Sequence, residues 1–216
     1  MSGQYDLHTH TTLSDGEMLP IELVRRASVL GYRILAITDH VDNSNLAEVI
    51  HALLQVKELA ESYDVMLLAG VEITHVPPVY IPKLARRARE LGADIVVVHG
   101  ETPMEPVAPG TNRAACGCRD VNVLAHPGLI AEEDAALAAA TGVALEVTSR
   151  GGHNRTNGYV VRYARDAGCV VVIDSDAHAP HDLLDERART IVARGAGMSE
   201  KEVQNALSLN IDRLLG

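Results

Sequence analysis

Seven short, almost wholly apolar runs alternate with helical patterns along this chain, and that alternation restricts the architectures open to it. The runs are "YDLHTH", "RILAITDH", "VMLLAGVEI", "DIVVVHG", "VNVLAHP", "VALEVTS" and "VVVIDSD". Between them lie "PIELVRRASVLG", "NLAEVIHALLQVKELAESY", "IPKLARRARELG", "AEEDAALAAATG" and "GYVVRYARDAG", several of which stop at glycine, as helices commonly do. Strands that are apolar almost throughout are buried on both faces, which calls for a parallel sheet covered by helices. Segment 101–121 reads as loop with room for one short helix near Asn112. The tail "MSEKEVQNALSLNIDRLLG" opens with the Ser199–Glu202 spacing of a capping box and reads as one final helix. No linker, repeat or low-complexity segment interrupts the series, and 216 residues suit one domain, residues 1–216, with a sizeable core.

Such β/α units form either an open doubly wound sheet or a closed barrel. The polar residues favour the barrel. Six runs carry a metal-competent side chain at the C-terminal end: His8 and His10, His40, Glu72, His99, His126, and Asp176 with His178; the remaining run leads into Arg150. In an open sheet, ligands gather where the strand order switches, and outlying strands contribute little. In a barrel every strand end faces one mouth. Period-two alternation sets Asp6, His8 and His10 on one strand face, and Asp174, Asp176 and His178 on another. Alone, the two histidines would read as part of a polar loop. Together with the other strand ends they would be costly to bury unless something paired them, and a cluster of zinc, manganese or iron would pair them all.

Composition narrows the function. Hydrophobic residues make up 47% and charged residues 22%, an ordinary globular balance. No apolar run is long enough to cross a bilayer and the N-terminus lacks the pattern of a signal peptide, so the expected location is cytoplasmic, with no membrane partner. Cys116, Cys118 and Cys169 make no disulfide framework, and Cys116-Gly-Cys118 supplies only two thiols, too few for a zinc site. A formal net charge of −10 argues against a broad nucleic-acid footprint. The arginines at 25, 26, 86, 87 and 89 lie on amphipathic patterns and read as solvated helix faces, and Phe and Trp are absent, which leaves few bases for stacking.

In order along the chain, "DLHTHTTLSDG", "ITDH", "GVE", "VVHG", "AHP" and "DSDAH" span residues 6 to 178. Taken together these stretches resemble the PHP (polymerase and histidinol phosphatase) superfamily of metal-dependent phosphoesterases. The resemblance implies an α/β fold, a distorted (β/α)7 TIM-like barrel, with two or three divalent ions at its C-terminal mouth. Carried over residue by residue, it makes His8, His10, Glu72 and Asp176 ligands of a first metal. It has Glu72 bridge to a second metal held by His99 and His126, and Asp15, His40 and His178 hold a third. Three divalent ions, set against those three carboxylates and one hydroxide, leave a charge of about +2 that suits a phosphate dianion. Metal-activated hydroxide, with a water pKa lowered to about 7 in favourable sites, is the expected nucleophile.

Near the metals, "TSRGGHNRTNG" follows the sixth run. Arg150 has the fork to hold phosphate oxygens, or serves as a salt-bridge partner. His153 is placed to protonate a leaving alkoxide, to touch substrate, or simply to lie on the surface. Gly151 and Gly152 allow close backbone approach, and Asn154 is a candidate cap for the next helix. His75 and Glu101 are expected beside the metals or in solvent, and His51 and His181 on the surface. Asp6, Asp39 and Asp174 read as carboxylates that orient ligand imidazoles. The leading expectation is hydrolysis of a small-molecule phosphomonoester, with Glu72, Arg150 and His153 as the catalytic candidates. The alternatives are a phosphodiesterase or nucleotide phosphatase, a nuclease, and a degenerate barrel kept as a scaffold. Oligomeric state is left open.

Overall fold

Strands buried on both faces must pair in parallel and be covered on the outside. In the computed structural model, which describes residues 4–215, they do. The strands are β1 (Gln4–Asp6), β2 (Tyr32–Ile37), β3 (His40–Val41), β4 (Met66–Ile73), β5 (Ile95–His99), β6 (Val123–Ala125), β7 (Ala144–Thr148) and β8 (Val171–Asp174). Their order is β1-β2-β4-β5-β6-β7-β8, all parallel, with the two-residue β3 beside the C-terminal end of β4. Seven strands therefore curl into a nearly closed α/β barrel of TIM-like type, as the strand-end pattern anticipates. Helices α1 (Pro20–Val29), α2 (Leu46–Glu61), α3 (Ile81–Glu90), α4 (Thr111–Cys116), α5 (Glu132–Thr141), α6 (Asn157–Ala167), α7 (Glu186–Gly195), α8 (Glu200–Leu207) and α9 (Ile211–Leu215) complete it. Residues 1–3 and 216, part of the expected domain and, for Gly216, of the expected tail helix, lie outside the described residues.

Two apolar compartments share the strands. Tyr5, Leu7, Ile34, Ala36, Ile95, Val97, Val123 and Val172 fill the barrel interior, and Ile211 and Leu214 of α9 join them. The short α9 thus plugs the N-terminal end, where the Asn122 side-chain amide donates to the Leu214 carbonyl at 2.8 Å. The alternate residues, among them Leu35, Ile37, Val71, Val96, Val98 and Leu145, pack outward against the helices. Closing one end with apolar side chains leaves the opposite mouth for polar ones.

The seam between β8 and β1 is built differently from the other junctions. Among the described residues these strands share no ladder, only one bridge between Thr9 and Ala177, with backbone bonds from Asp176 to His8 at 3.0 Å and from His10 to Ala177 at 2.8 Å. Two buried carboxylates replace the missing bonds. Asp174 accepts from the Leu7 amide at 2.8 Å, and Asp6 from the Ser175 amide at 3.1 Å. Burial holds both acids above their usual range. The nearby countercharge is Arg189 of α7, fully buried, its guanidinium 4.2 Å from the Tyr5 ring and donating to the Ile173 carbonyl at 2.6 Å.

Three expectations need correcting. Helix α7 occupies a stretch to which the sequence reading assigns no element, and Asp185 caps it by accepting from the Ala188 amide. The tail is two helices, because Ser208 bonds back to the Gln204 carbonyl and Asn210 accepts from the Asp212 amide, which ends one helix and starts another. Asn154 caps nothing: the helix begins at Asn157, whose amide group instead bonds both backbone groups of Thr148. The Ser199–Glu202 capping box and the short helix at Asn112 are present as expected.

Candidate metal centre

Each donor reaches the mouth from the C-terminal end of a strand. His8, His10 and Asp15 follow β1, His40 forms β3, Glu72 lies near the end of β4, and His99 ends β5. His126 follows β6, and Asp176 and His178 follow β8. The structure brings all nine together around Glu72, whose side chain is fully buried. One Glu72 oxygen lies 3.4 Å from His8 Nε2 and 3.6 Å from His126 Nε2; the other lies 2.7 Å from His40 Nδ1 and 3.7 Å from His10 Nε2. Asp176 sits across from it, 3.3 Å from His10 Nε2 and 3.7 Å from His126 Nε2. Asp15 lies between His178 at 3.3 Å and His40 at 3.6 Å.

Beyond β1 and β8 the simple alternation of strand faces fails in part. His8 and His10 both face Glu72, but Asp6 turns to the seam. Asp176 adopts a left-handed backbone with φ +53°, and His126 one with φ +27°. Non-glycine residues reach that region at a cost of about 1–3 kcal/mol each and concentrate at functional sites. Here the distortion swings both side chains into the mouth.

These side chains leave polar atoms without partners. His8 Nε2, both nitrogens of His10, both oxygens of Glu72 and His126 Nδ1 are buried and make no well-aligned hydrogen bond, the 2.7 Å approach of His40 Nδ1 to Glu72 included. Each such atom costs about 1–3 kcal/mol if nothing satisfies it. Cations would satisfy them, and the donor chemistry fits: His8, His10 and Glu72 form one set with all atoms within 4.8 Å, Glu72, His99 and His126 a second, and His10, Asp15, His40 and His178 a third. His10 thus stands between two sets. Although burial raises a carboxylate's pKa, the charges of His8, His40 and His99 hold Glu72 well below its usual range. Burial works against a charged His8 as well, yet Glu146, Glu72 and Asp176 hold its imidazole well above its usual range.

Glu146 escapes the sequence reading. From within β7 it accepts a hydrogen bond from His8 Nδ1 at 2.6 Å and, through its other oxygen, one from the His126 amide at 2.8 Å. That bond fixes the His8 tautomer and leaves Nε2 free to coordinate. The signal was present, a single carboxylate inside the apolar run "VALEVTS". The three aspartates expected in this orienting role grip other groups. Asp6 and Asp174 bind the seam amides, and Asp39 accepts from the Thr11 amide and from the Thr11 and Ser14 hydroxyls.

Arg150 and His153 border a polar cavity of about 330 Å³ beside the cluster, lined also by Ser149, Gly151, Ser175 and Asp182. The Arg150 guanidinium lies 3.5 Å from Asp182, a carboxylate that the sequence reading does not name as its partner. The His153 ring is 4.5 Å from that of His126, and burial lowers its pKa. Glu101 faces away from the donors and accepts from the Gly110 and Asn112 amides. His75 is exposed, with Nε2 3.0 Å from Glu105, another carboxylate that the sequence reading does not single out. His51 and His181 are exposed.

The geometry defines a class: an α/β barrel whose mouth carries several donor sets able to hold metal ions. The PHP domain family model matches residues 6–150, and the chain belongs to that family. An uncharacterized protein of Methanocaldococcus jannaschii is 50% identical over 206 residues, 94% of each chain. The DNA polymerase/3'-5' exonuclease PolX of Bacillus subtilis is 29% identical over 94% of this chain, which spans 39% of PolX. Among solved structures, histidinol phosphate phosphatase of Lactococcus lactis, complexed with zinc, L-histidinol and phosphate, superposes with a TM-score of 0.64. It shares 16% identity and is covered to 94%, against 91% of this chain, a likeness of fold. Among the described residues no helix is long and apolar enough to cross a membrane.

Proposed function

We propose that this chain is a metal-dependent phosphoesterase that hydrolyses a small-molecule phosphomonoester, acting as one domain with two or three zinc, manganese or iron ions. The observation that carries the reading is the set of buried, unpartnered atoms on His8, His10, Glu72 and His126, gathered at the open end of the barrel. In this reading His8, His10, Glu72 and Asp176 hold one ion, Glu72, His99 and His126 a second, and Asp15, His40 and His178 a third. Ions bound there would supply Lewis acidity toward phosphoryl oxygens and acidify water. Arg150 exchanges Asp182 for the phosphate oxygens, which its planar fork can hold in pairs. His153 is neutral in the free protein at pH 7 because burial lowers its pKa. An anionic ester beside it would pull that pKa back up, so that it could donate a proton to the departing alkoxide. The cavity between Arg150 and Asp182 is polar, which suits a hydrophilic leaving group.

A second reading, a phosphodiester substrate in nucleic acid, draws on the similarity to PolX, an exonuclease. One experiment separates the two. Protein reconstituted with manganese, zinc or iron is assayed for phosphate release from a panel of phosphorylated metabolites and, in parallel, for cleavage of short oligonucleotides. Metal-dependent turnover of a metabolite supports the first reading, and cleavage confined to the oligonucleotides supports the second. Activity that survives complete chelation refutes both.

A further inference from the structure

Another group of metal-competent side chains joins one of the nine expected donors, His99, to two residues outside them. Glu105, on the loop between β5 and α4, brings one oxygen within 3.0 Å of His75 Nε2 and 3.3 Å of His99 Nε2. Its other oxygen lies 3.6 Å from His153 Nε2. His75, His99 and Glu105 offer three donor atoms all within 4.8 Å of one another, near enough to face one cation. His75 reaches this position through a left-handed backbone, φ +53°. The loop holds its shape by design of its own residues: Pro103, Pro106 and Pro109 stiffen it, and Glu101 and Asn112 exchange hydrogen bonds across its base at 2.9 and 3.0 Å.

His99 belongs to both this outer set and the inner set with Glu72 and His126. Its Nδ1 faces the Gly100 carbonyl at 3.2 Å, so Nε2 alone is free, and one ring nitrogen serves one ion at a time. The two seats are therefore mutually exclusive. They also differ in access: Glu72, His99 and His126 are buried, whereas His75 and Glu105 are exposed. We propose that His75, His99 and Glu105 form an outer seat for a divalent cation, through which metal enters the inner site by passing along the His99 imidazole. The inference rests on the metal-dependent reading above and adds the route by which the ions arrive. A cation is first desolvated by two surface groups, then exchanges His75 and Glu105 for Glu72 and His126 while His99 keeps hold of it.

The test is cobalt(II) uptake by the intact, chelator-stripped chain, followed by visible absorption, with the ion count at saturation taken by elemental analysis. Glu105→Gln and His75→Ala change exposed side chains, and each should slow uptake about 10-fold, the lower end of what a metal site loses with one supporting group. The saturated count should equal that of the unaltered protein. Unchanged uptake rates in both variants overturn the proposal. A reduced saturated count also overturns it, because the pair would then be a permanent seat and no entrance. Unaltered protein that takes up no cobalt refutes the metal-dependent function as well, whereas normal uptake with unchanged variant kinetics refutes the entrance alone.

Discussion

At the level of single residues, Glu146 and Arg150 divide two tasks, one holding donors in place and the other facing the proposed substrate. Glu146 contacts His8 and the His126 backbone and lies beside the proposed ions without being among their expected ligands. Glu146→Ala should preserve the far-UV circular dichroism spectrum but weaken zinc binding about 10- to 100-fold, since the His8 ring loses its fixed orientation. Zinc affinity equal to that of the unaltered protein would remove Glu146 from the account. Arg150→Lys asks the complementary question. It keeps a positive charge and loses the planar fork, so metal content should stay the same while kcat/KM falls roughly 10- to 100-fold, the effect of losing a charge-assisted contact of about 1.5–3 kcal/mol. Inhibition by inorganic phosphate should weaken in step. Phosphate that inhibits both proteins equally, with metal lost from the variant, would make Arg150 a support for the cluster. Most donors were legible in the sequence because they sit at the ends of apolar runs, where a barrel must expose them. Glu146 was not, because a carboxylate within a strand looks like a fault in the core until the imidazole it serves is in place. Glu105 was not legible either, since nothing along the chain says which loop folds back over the mouth.

At the scale of elements, the junction of β8 with β1 shows what local sequence can and cannot convey. Apolar runs and glycine stops marked out the seven main strands and α1 to α3, α5 and α6; Gly142 and Gly168, for example, end α5 and α6 in the left-handed conformation. Helix α7 was not legible, because its buried face centres on Arg189, a residue that reads as solvent-facing until Asp6 and Asp174 are seen to share its interior. The break in the tail was missed for a related reason. Ser208 and Asn210 fit a helical pattern, yet their side chains compete for backbone groups. The seam carries its own prediction. Arg189→Met keeps much of the side-chain volume and leaves the two acids buried without their countercharge. Losing the buried bond from the charged guanidinium to the Ile173 carbonyl costs about 1.5–3 kcal/mol. Tm should therefore fall by up to roughly 10 °C for a chain of this size. A thermal melt within a degree or two of the unaltered protein would show that the seam does not depend on that charge.

At the scale of the whole molecule, apolar packing closes one end of the barrel, and the polar groups collect at the other, where protons stand in for cations. Burial disfavours charged imidazoles there and wins at His10 and His126, whose pKa values are lowered, but carboxylates win elsewhere: Glu72 and Asp15 hold His40 up at about 10, and His99 and His178 are also raised. With its pKa near 10, the His40 ring is protonated at pH 7 in metal-free protein, and a cation needs the lone pair that this proton occupies. Metal uptake must therefore release protons, and affinity must fall as pH falls. Adding zinc to chelator-stripped protein in weak buffer at pH 7 should acidify the solution; no acidification would contradict this electrostatic picture.

If the nine side chains around Glu72 form a metal cluster, the purified protein carries the ions itself. Elemental analysis of protein purified without chelator should find two to three transition-metal ions per chain, the number for which the three donor sets provide. Fewer than one ion per chain, with no gain after incubation with zinc, manganese or iron, would contradict the account.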